Sequence, residues 1–376
     1  MSHLTAPVWR LVPFTRPPCH RMFRRLAHQT ADHQAIEEQL LPRYHQRQYY
    51  PVKIGDTLKD QYRVIAKLGY GAYSTVWLAW DEKASRYASL KVCVQDDGEP
   101  NSPILNEISM LQRLKKCAAA EDHPGLLFTR LADDIFEING PSGRHYCVAS
   151  KPQAGSVRVL QETFPEAKVP KLLVRSLIHR LFFSVNWLHG NCNTIHTDIS
   201  PQNVLSEIED NTPLRDIEEQ ESQDPSIPII PSNGAAPVYR SRSTAPELGG
   251  IPILTDFSQM RLAQEGGNKE WCMPDIYRAP EVLLKLPFNY PVDMWSIGVM
   301  SPDFLTYFNK NGQFKFEAEI PKTSLEGFIT TIPRGEEKEQ FLSFIRKLLT
   351  WDPEARATSS EIILDEWLMR PNETMV

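Results

Sequence analysis

The rhythm of apolar and polar positions changes several times along the chain, and each change predicts a different element. Residues 62–68 read as a strand, 69–74 as a turn, 75–80 as a second strand, 81–83 as another turn and 87–92 as a third strand. This is an antiparallel meander with polar turns. Ser102 then fits a helix N-cap and Pro103 the first helical position, with Ile104, Leu105, Ile108, Leu111 and Leu114 following at helical spacing. Residues 126–160 predict two more short strands and a polar connection. After Lys168 the pattern becomes helical, with Leu177, Ile178, Leu181, Phe182, Val185 and Leu188 in one apolar stripe. That stripe leads into a polar turn between short apolar runs, at 195–205. Residues 206–252 mix Pro and Gly with polar residues and predict a solvated, disordered insertion. Ordered texture returns at 253–257; Phe341, Phe344, Ile345, Leu348 and Leu349 mark a late helix, and a closing helix is expected at about 360–369.

Composition adds bounds. A chain of 376 residues can bury a large core and form one or two domains. Apolar residues at 41% and charged residues at 23% are ordinary for a soluble globular protein. A net charge of −6 gives no global drive toward nucleic acid or an anionic membrane, and no apolar run approaches the ~18 residues of a bilayer span. Cys19, Cys93, Cys117, Cys147, Cys192 and Cys272 are scattered without a C-x-x-C pair, which points to inert thiols in a reducing compartment. Residues 1–31 carry Arg10, Arg16, Arg21, Arg24 and Arg25 and no acid, as mitochondrial presequences do. Pro7, Pro13, Pro17 and Pro18 confine any amphipathic helix there to about 20–29, so a basic, largely disordered tail over 1–48 is the expected reading.

Five local signals then appear in one order. Gly69 and Gly71 lie between two strands, where glycine lets backbone N–H groups approach phosphate oxygens. Lys91 sits in an apolar strand and needs a counter-charge, which Glu107 on the next helix can supply. His196, Asp198 and Asn203 share the polar turn; a carboxylate there can accept a hydroxyl proton, and the neighbouring amide oxygen can bind Mg²⁺. Asp256 ends an apolar strand, where a second metal ligand can sit. Residues 277–281 read Tyr-Arg-Ala-Pro-Glu, and Asp293, Trp295, Ser296 and Gly298 follow. Each signal alone has a plain alternative: a hairpin turn, a solvent-facing lysine, a polar turn, a cap, generic helix packing. Their joint order is specific.

Taken together, these residues resemble the signature set of the eukaryotic protein kinases over about residues 60–370. Within that family the chain is most similar to the SR-protein-specific Ser/Thr kinases. Residues 51–56 and 68–78, the His196-Thr197-Asp198 triplet and the long insertion before Asp256 carry that resemblance. It implies an α+β, bilobal fold: a small antiparallel β-sheet N-lobe with one main helix over 49–152 and a mainly helical C-lobe over 153–370, with 371–376 a tail. It implies ATP and Mg²⁺ as cofactors and a protein substrate, Arg/Ser-rich in character, with no direct nucleic acid or membrane partner. Leu68, Gly69, Gly71, Val76, Lys91, Glu107 and Asp256 would hold the nucleotide, and Asn203 and Asp256 the metal. Asp198 would orient and deprotonate a Ser or Thr hydroxyl, with Ser200 and Asn203 beside it. Glu281 and Arg356 would form a buried ion pair bracing the C-lobe. The expected location is cytoplasm or nucleus.

The chain departs from the family at several points. Ser200 stands where the catalytic loop has a lysine that contacts the transferred phosphate. Ser258 replaces the glycine of Asp-Phe-Gly and is expected to restrict that turn. Ser74 replaces the third glycine of the phosphate loop, as in the SR-protein kinases. Pro302 is expected to end or kink the helix that begins near Asp293, and residues 302–305 resemble a later family segment joined early, so part of the C-lobe, including the family's substrate-docking region, is expected to be absent. Two readings follow: an active Ser/Thr kinase, and a pseudokinase that binds nucleotide or acts as a scaffold. The insertion carries Glu207, Glu209, Asp210, Asp216, Glu218, Glu219, Glu221 and Asp224 against Arg215, which suggests electrostatic steering of basic substrates.

Overall fold

The computed structural model describes residues 35–42, 44–96, 98–99, 102–230, 236–242, 244, 251–300, 324–329 and 332–371. The meander forms as its pattern predicts. Strands β1 (Thr57–Leu58), β2 (Tyr62–Gly71), β3 (Ser74–Asp81) and β4 (Arg86–Gln95) are joined by β5 (Asp134–Gly140) and β6 (Gly143–Ser150). All pairings are antiparallel, in the spatial order β1-β2-β3-β4-β6-β5. The turn expected at 69–74 is tighter than its composition suggests: β2 continues through Gly71 and β3 starts at Ser74. Leu90 and Val92 of β4 join Val64, Trp77 and Ala149 in one cluster, while Cys93 and Val94 pack with the helix that follows. That helix, α1 (Pro103–Ala120), starts at Ser102, whose hydroxyl accepts from Leu105 N–H, with proline at the first position.

The second lobe is organised around α3 (Lys171–Gly190). Its stripe of Phe182, Val185, Trp187 and Leu188 is buried with Phe344, Leu348 and Trp367, each worth ~1.5–3 kcal/mol of apolar burial. Before it come β7 (Gln153–Ser156) and α2 (Val157–Glu162); β7 pairs with β9 (Val204–Glu207), and β9 with β10 (Pro252–Leu254). A second small sheet joins β8 (Thr194–Ile195) to β11 (Arg261–Leu262). Two small sheets thus grip the polar segments 196–203 and 255–260 from both ends.

Four expectations need correction. The insertion is not a solvated coil: α4 (Thr212–Gln223) forms in it and buries Leu214, Ile217 and Glu221. Leu214 and Ile217 join Ile65, Ala66 and Leu78 of the N-lobe sheet, so two apolar residues at helical spacing outweigh the polar background. The N-terminal tail is not loose up to 48 either. Residues 37–40 and 44–46 form 3₁₀ turns, and Tyr44 and Tyr49 are buried and stacked 5.3 Å apart. The closing helix is two short ones. After α5 (Pro280–Leu283), α6 (Pro291–Val299) and α7 (Glu336–Leu348) come α8 (Ser359–Ile362) and α9 (Glu366–Met369). Asp365 interrupts them because its carboxylate caps Trp367 N–H at 2.9 Å. Ser258 does not strain its own turn; the left-handed residue there is Asp256, at φ 61°.

The expectation about Pro302 lies outside the described residues. Glu281 and Arg356 do pair: the guanidinium meets both carboxylate oxygens at 2.7 and 3.0 Å, and both side chains are essentially inaccessible to solvent.

Candidate active site

A cavity of about 530 Å³ lies between the six-stranded sheet and the loops of the second lobe. Leu68, Gly69 and Gly71 from β2, Val76 from β3, Lys91 from β4, Glu107 from α1, and Asn203 and Asp256 from the gripped loops all line it. Gly69 and Gly71 take no left-handed backbone, and an added Cβ would meet no protein atom closer than 3.9 Å. Their lack of a side chain therefore serves the cavity rather than the protein's own packing.

Lys91 reaches inward because β4 turns it toward α1. Its Nζ lies 2.7 Å from both Glu107 oxygens and 3.8 Å from Asp256 Oδ1. Burial alone would lower its pKa, but Glu107 and then Asp256 raise it above the usual lysine value. Asp256 is likewise desolvated, yet Lys91 and the bonds from Ser258 hold its carboxyl below the usual range. The centre thus keeps one fixed cation facing one carboxylate that is partly open to the cavity.

Asp198 and Asn203 form a second centre. The Asn203 amide nitrogen donates to Asp198 O at 2.8 Å and to Asp198 Oδ2 at 2.9 Å, so its carbonyl oxygen stays available to a cation. Desolvation and then the Asp256 charge push the Asp198 carboxyl up to about 7, against the Asn203 bond. A carboxylate poised there matches a proton acceptor working near neutrality. Mg²⁺ typically takes one or two protein oxygens and completes its shell with phosphate and water, and the Asp256 carboxylate with the Asn203 amide oxygen fits that demand. Among the described residues, no cluster of three or more His, Cys, Asp or Glu could hold a metal by protein ligands alone. Asp198 and Ser200 are not among the cavity's lining residues. Ser200 is buried, and its carbonyl accepts the Asn203 N–H at 3.0 Å.

Some contributors were not singled out as site residues. Asp293, fully buried at the start of α6, accepts from His196 N–H and Thr197 N–H at 2.8 Å each and meets His189 Nε2 at 2.9 Å. It therefore fixes the loop that carries Asp198. An aspartate before an apolar helix was visible in the sequence, but nothing local says which loop it holds. His196 adds a cross-brace: its Nδ1 accepts Asp198 N–H at 3.2 Å, so its Nε2 donates to Thr255 O at 3.0 Å. Arg130 also lines the cavity, bonded to Ser150 Oγ at 3.0 Å, with burial pulling its pKa down. No motif marked it.

With this geometry in place, the likeness to known proteins has a structural basis. Residues 249–368 match the protein kinase domain. A serine/threonine protein kinase of Aspergillus fumigatus is 30% identical over 381 residues, 89% of this chain and 91% of that one. A serine/threonine-protein kinase SRPK of Physarum polycephalum is 25% identical over 377 residues, covering 83% and 87% of the two chains. SRSF protein kinase 3 of mouse is 35% identical over 172 residues, 45% of this chain and 30% of that protein. The ordered motifs, the two-lobed fold around the cavity and the similarity along most of the chain's length agree: the chain belongs to the protein kinase family and resembles its SR-protein kinases.

Proposed function

We propose that this chain transfers the γ-phosphoryl group of ATP to Ser or Thr hydroxyls of Arg/Ser-rich proteins. The observation that carries the reading is the convergence of Lys91, Glu107 and Asp256 in one cavity, which Asn203 also lines while its amide bonds to Asp198. Glu107 holds the Lys91 ammonium where it can bind the α- and β-phosphates. Asp256 and Asn203 would hold Mg²⁺, which when bound neutralises charge on the phosphates. Asp198 orients the acceptor hydroxyl and takes its proton as the bond to phosphorus forms. Little covalent chemistry falls to the protein, so most of the acceleration comes from positioning and charge. Similarity to kinases named for SRSF proteins supports the substrate class.

The test is phosphate incorporation from Mg-ATP into an Arg/Ser-rich peptide, beside a peptide with lysine in place of every arginine. The wild-type chain should label the first and Asp198→Asn neither. Equal labelling by Asp198→Asn would refute the base assignment, and no labelling by the wild type would refute the activity.

A further inference from the structure

Lys67 lies in β2, two positions before Gly69, and its side chain has no solvent exposure. A buried ammonium must be paired. Glu38 from the N-terminal segment is its ion-pair partner, Glu37 lies 3.7 Å from Nζ, and Tyr239 O from the insertion accepts at 3.0 Å. The insertion continues the clasp. Arg242 N–H donates to Lys67 O at 2.7 Å, Arg242 Nε meets Glu221 of α4 at 2.6 Å, and Tyr239 packs edge-on against Trp77. Two residues on, Thr244 lines the cavity.

The N-terminal segment is tied to this strap through one serine. Ser241 donates twice to the Glu37 carboxylate, from its N–H at 3.2 Å and from its hydroxyl at 2.6 Å. Ser241 is half-buried and stands between Arg240 and Arg242. It is therefore an Arg-Ser dipeptide in this chain's own sequence, with its hydroxyl at the joint between two segments.

We propose that Ser241 is a phosphoacceptor whose modification expels Glu37 and frees the N-terminal segment from the strand carrying the glycine-rich turn. The acceptor class rests on the function proposed above. In the transfer, Ser241 Oγ bonds to the γ-phosphorus, and the bond from phosphorus to the β–γ bridging oxygen breaks. ADP leaves with that electron pair, and the hydroxyl proton passes to Asp198 of a second copy. The product carries ~1.5–2 negative charges at neutral pH and has lost the hydroxyl donor. Its oxygens would face the Glu37 carboxylate at hydrogen-bond distance, where like charges cannot stay. Lys67, 3.7 Å from Glu37, remains nearby to pair with the phosphate in place of that carboxylate.

The experiment uses the full chain carrying Asp198→Asn, which cannot modify itself, as substrate. It is incubated with Mg-ATP and either the wild-type chain or mouse SRSF protein kinase 3, with an Arg/Ser-rich peptide in parallel. Phosphate is mapped by mass spectrometry, and amide exchange is followed over residues 35–48. The expected result is phosphate on Ser241, absent after Ser241→Ala, and exchange at least ~10-fold faster over 35–48. Ser241→Glu should speed exchange in the same peptides without any kinase, and adding Glu37→Gln should restore part of the protection. If the peptide is labelled but neither enzyme modifies Ser241, the site is wrong and the proposed function stands. If only SRSF protein kinase 3 labels the peptide and Ser241, the proposed function fails and the site survives. Phosphate on Ser241 with unchanged exchange over 35–48 overturns the release.

Discussion

Asp198 offers the sharpest test, because the same burial that would suit it as a base also costs the fold stability. Its carboxyl is raised from 3.8 to about 7, first by desolvation and then by the Asp256 charge. Each pKa unit corresponds to about 1.36 kcal/mol, so ionising this group in the folded chain costs up to ~4 kcal/mol more than in the unfolded one. The sign follows from the direction. A raised carboxyl contributes its full relative stability below the unfolded value near 3.8, and that stability is lost as pH rises through about 7. Asp198→Asn keeps the shape and an acceptor oxygen for the Asn203 amide at 2.9 Å but carries no charge. The variant should be inactive, and in metal-free buffer its thermal midpoint should exceed that of the wild type by a margin that grows from pH 5 to pH 8. A gain of ~4 kcal/mol is the ceiling at pH 8 for the charge alone. Added Mg²⁺ should narrow the gap, since a cation at Asp256 cancels the repulsion between the two carboxylates. Parallel pH–stability curves for the two proteins, or a variant less stable at pH 8, would refute the reasoning.

Other outcomes can be checked with the same protein. Lys91→Met should lower kcat for peptide phosphorylation by roughly 10²–10³-fold, as loss of a preorganised cation does, and titration calorimetry should show weaker ATP binding. Arg356→Ala leaves the Glu281 charge buried at 1% side-chain exposure, so chemical denaturation should show a loss of ~3–5 kcal/mol. Ser200→Lys would put a cation at the position where the resemblance expects a contact to the transferred phosphate and should raise kcat ~100-fold, with KM for ATP little changed; a flat or lower kcat would show that another group already supplies that charge. Neutralising the exposed Asp210, Asp216, Glu219 and Asp224 should lower kcat/KM on an Arg-rich peptide at low salt and leave it unchanged at high salt. A deletion of 207–224 would not isolate the charge, because it removes α4 and the pairings of Glu207 with Lys151 and Glu218 with Arg63.

What was legible in the sequence is what local chemistry determines. Ser102 and Pro103 announced α1, and alternating apolar runs announced the meander, because caps and pleats act over a few residues. The cavity residues could be named because glycines, a strand lysine, a helix glutamate, a polar turn and a strand-ending aspartate follow in an order that resembles the protein kinases. Lys67 shows the limit. It lies in a stretch that reads simply as a strand, yet it is buried, and the groups that satisfy it come from Glu38, 29 positions before, and Tyr239, 172 positions after. The helix in the insertion was missed for a related reason. Leu214 and Ile217 are a weak apolar signal alone, and become a face only against Ile65 and Leu78.

The same distinction explains why the sequence named Asp198 but not what aims it. Thr197 immediately before it adopts a left-handed backbone at φ 63°, an unfavourable region for a β-branched residue, at a cost of ~1–3 kcal/mol. Nothing in residues 195–205 offsets that cost. The compensation comes from Asp293, whose Oδ1 accepts Thr197 N–H at 2.8 Å, and from Gln259 O, which accepts the Thr197 hydroxyl at 2.7 Å. One partner belongs to α6 and the other to the segment just after Asp256. The strained residue is therefore held by a helix of the C-lobe and by the loop that carries Asp256 together. That places Asp198 and Asp256 in one rigid frame, and it makes the loop's geometry a property of the folded lobe rather than of its own eleven-residue stretch.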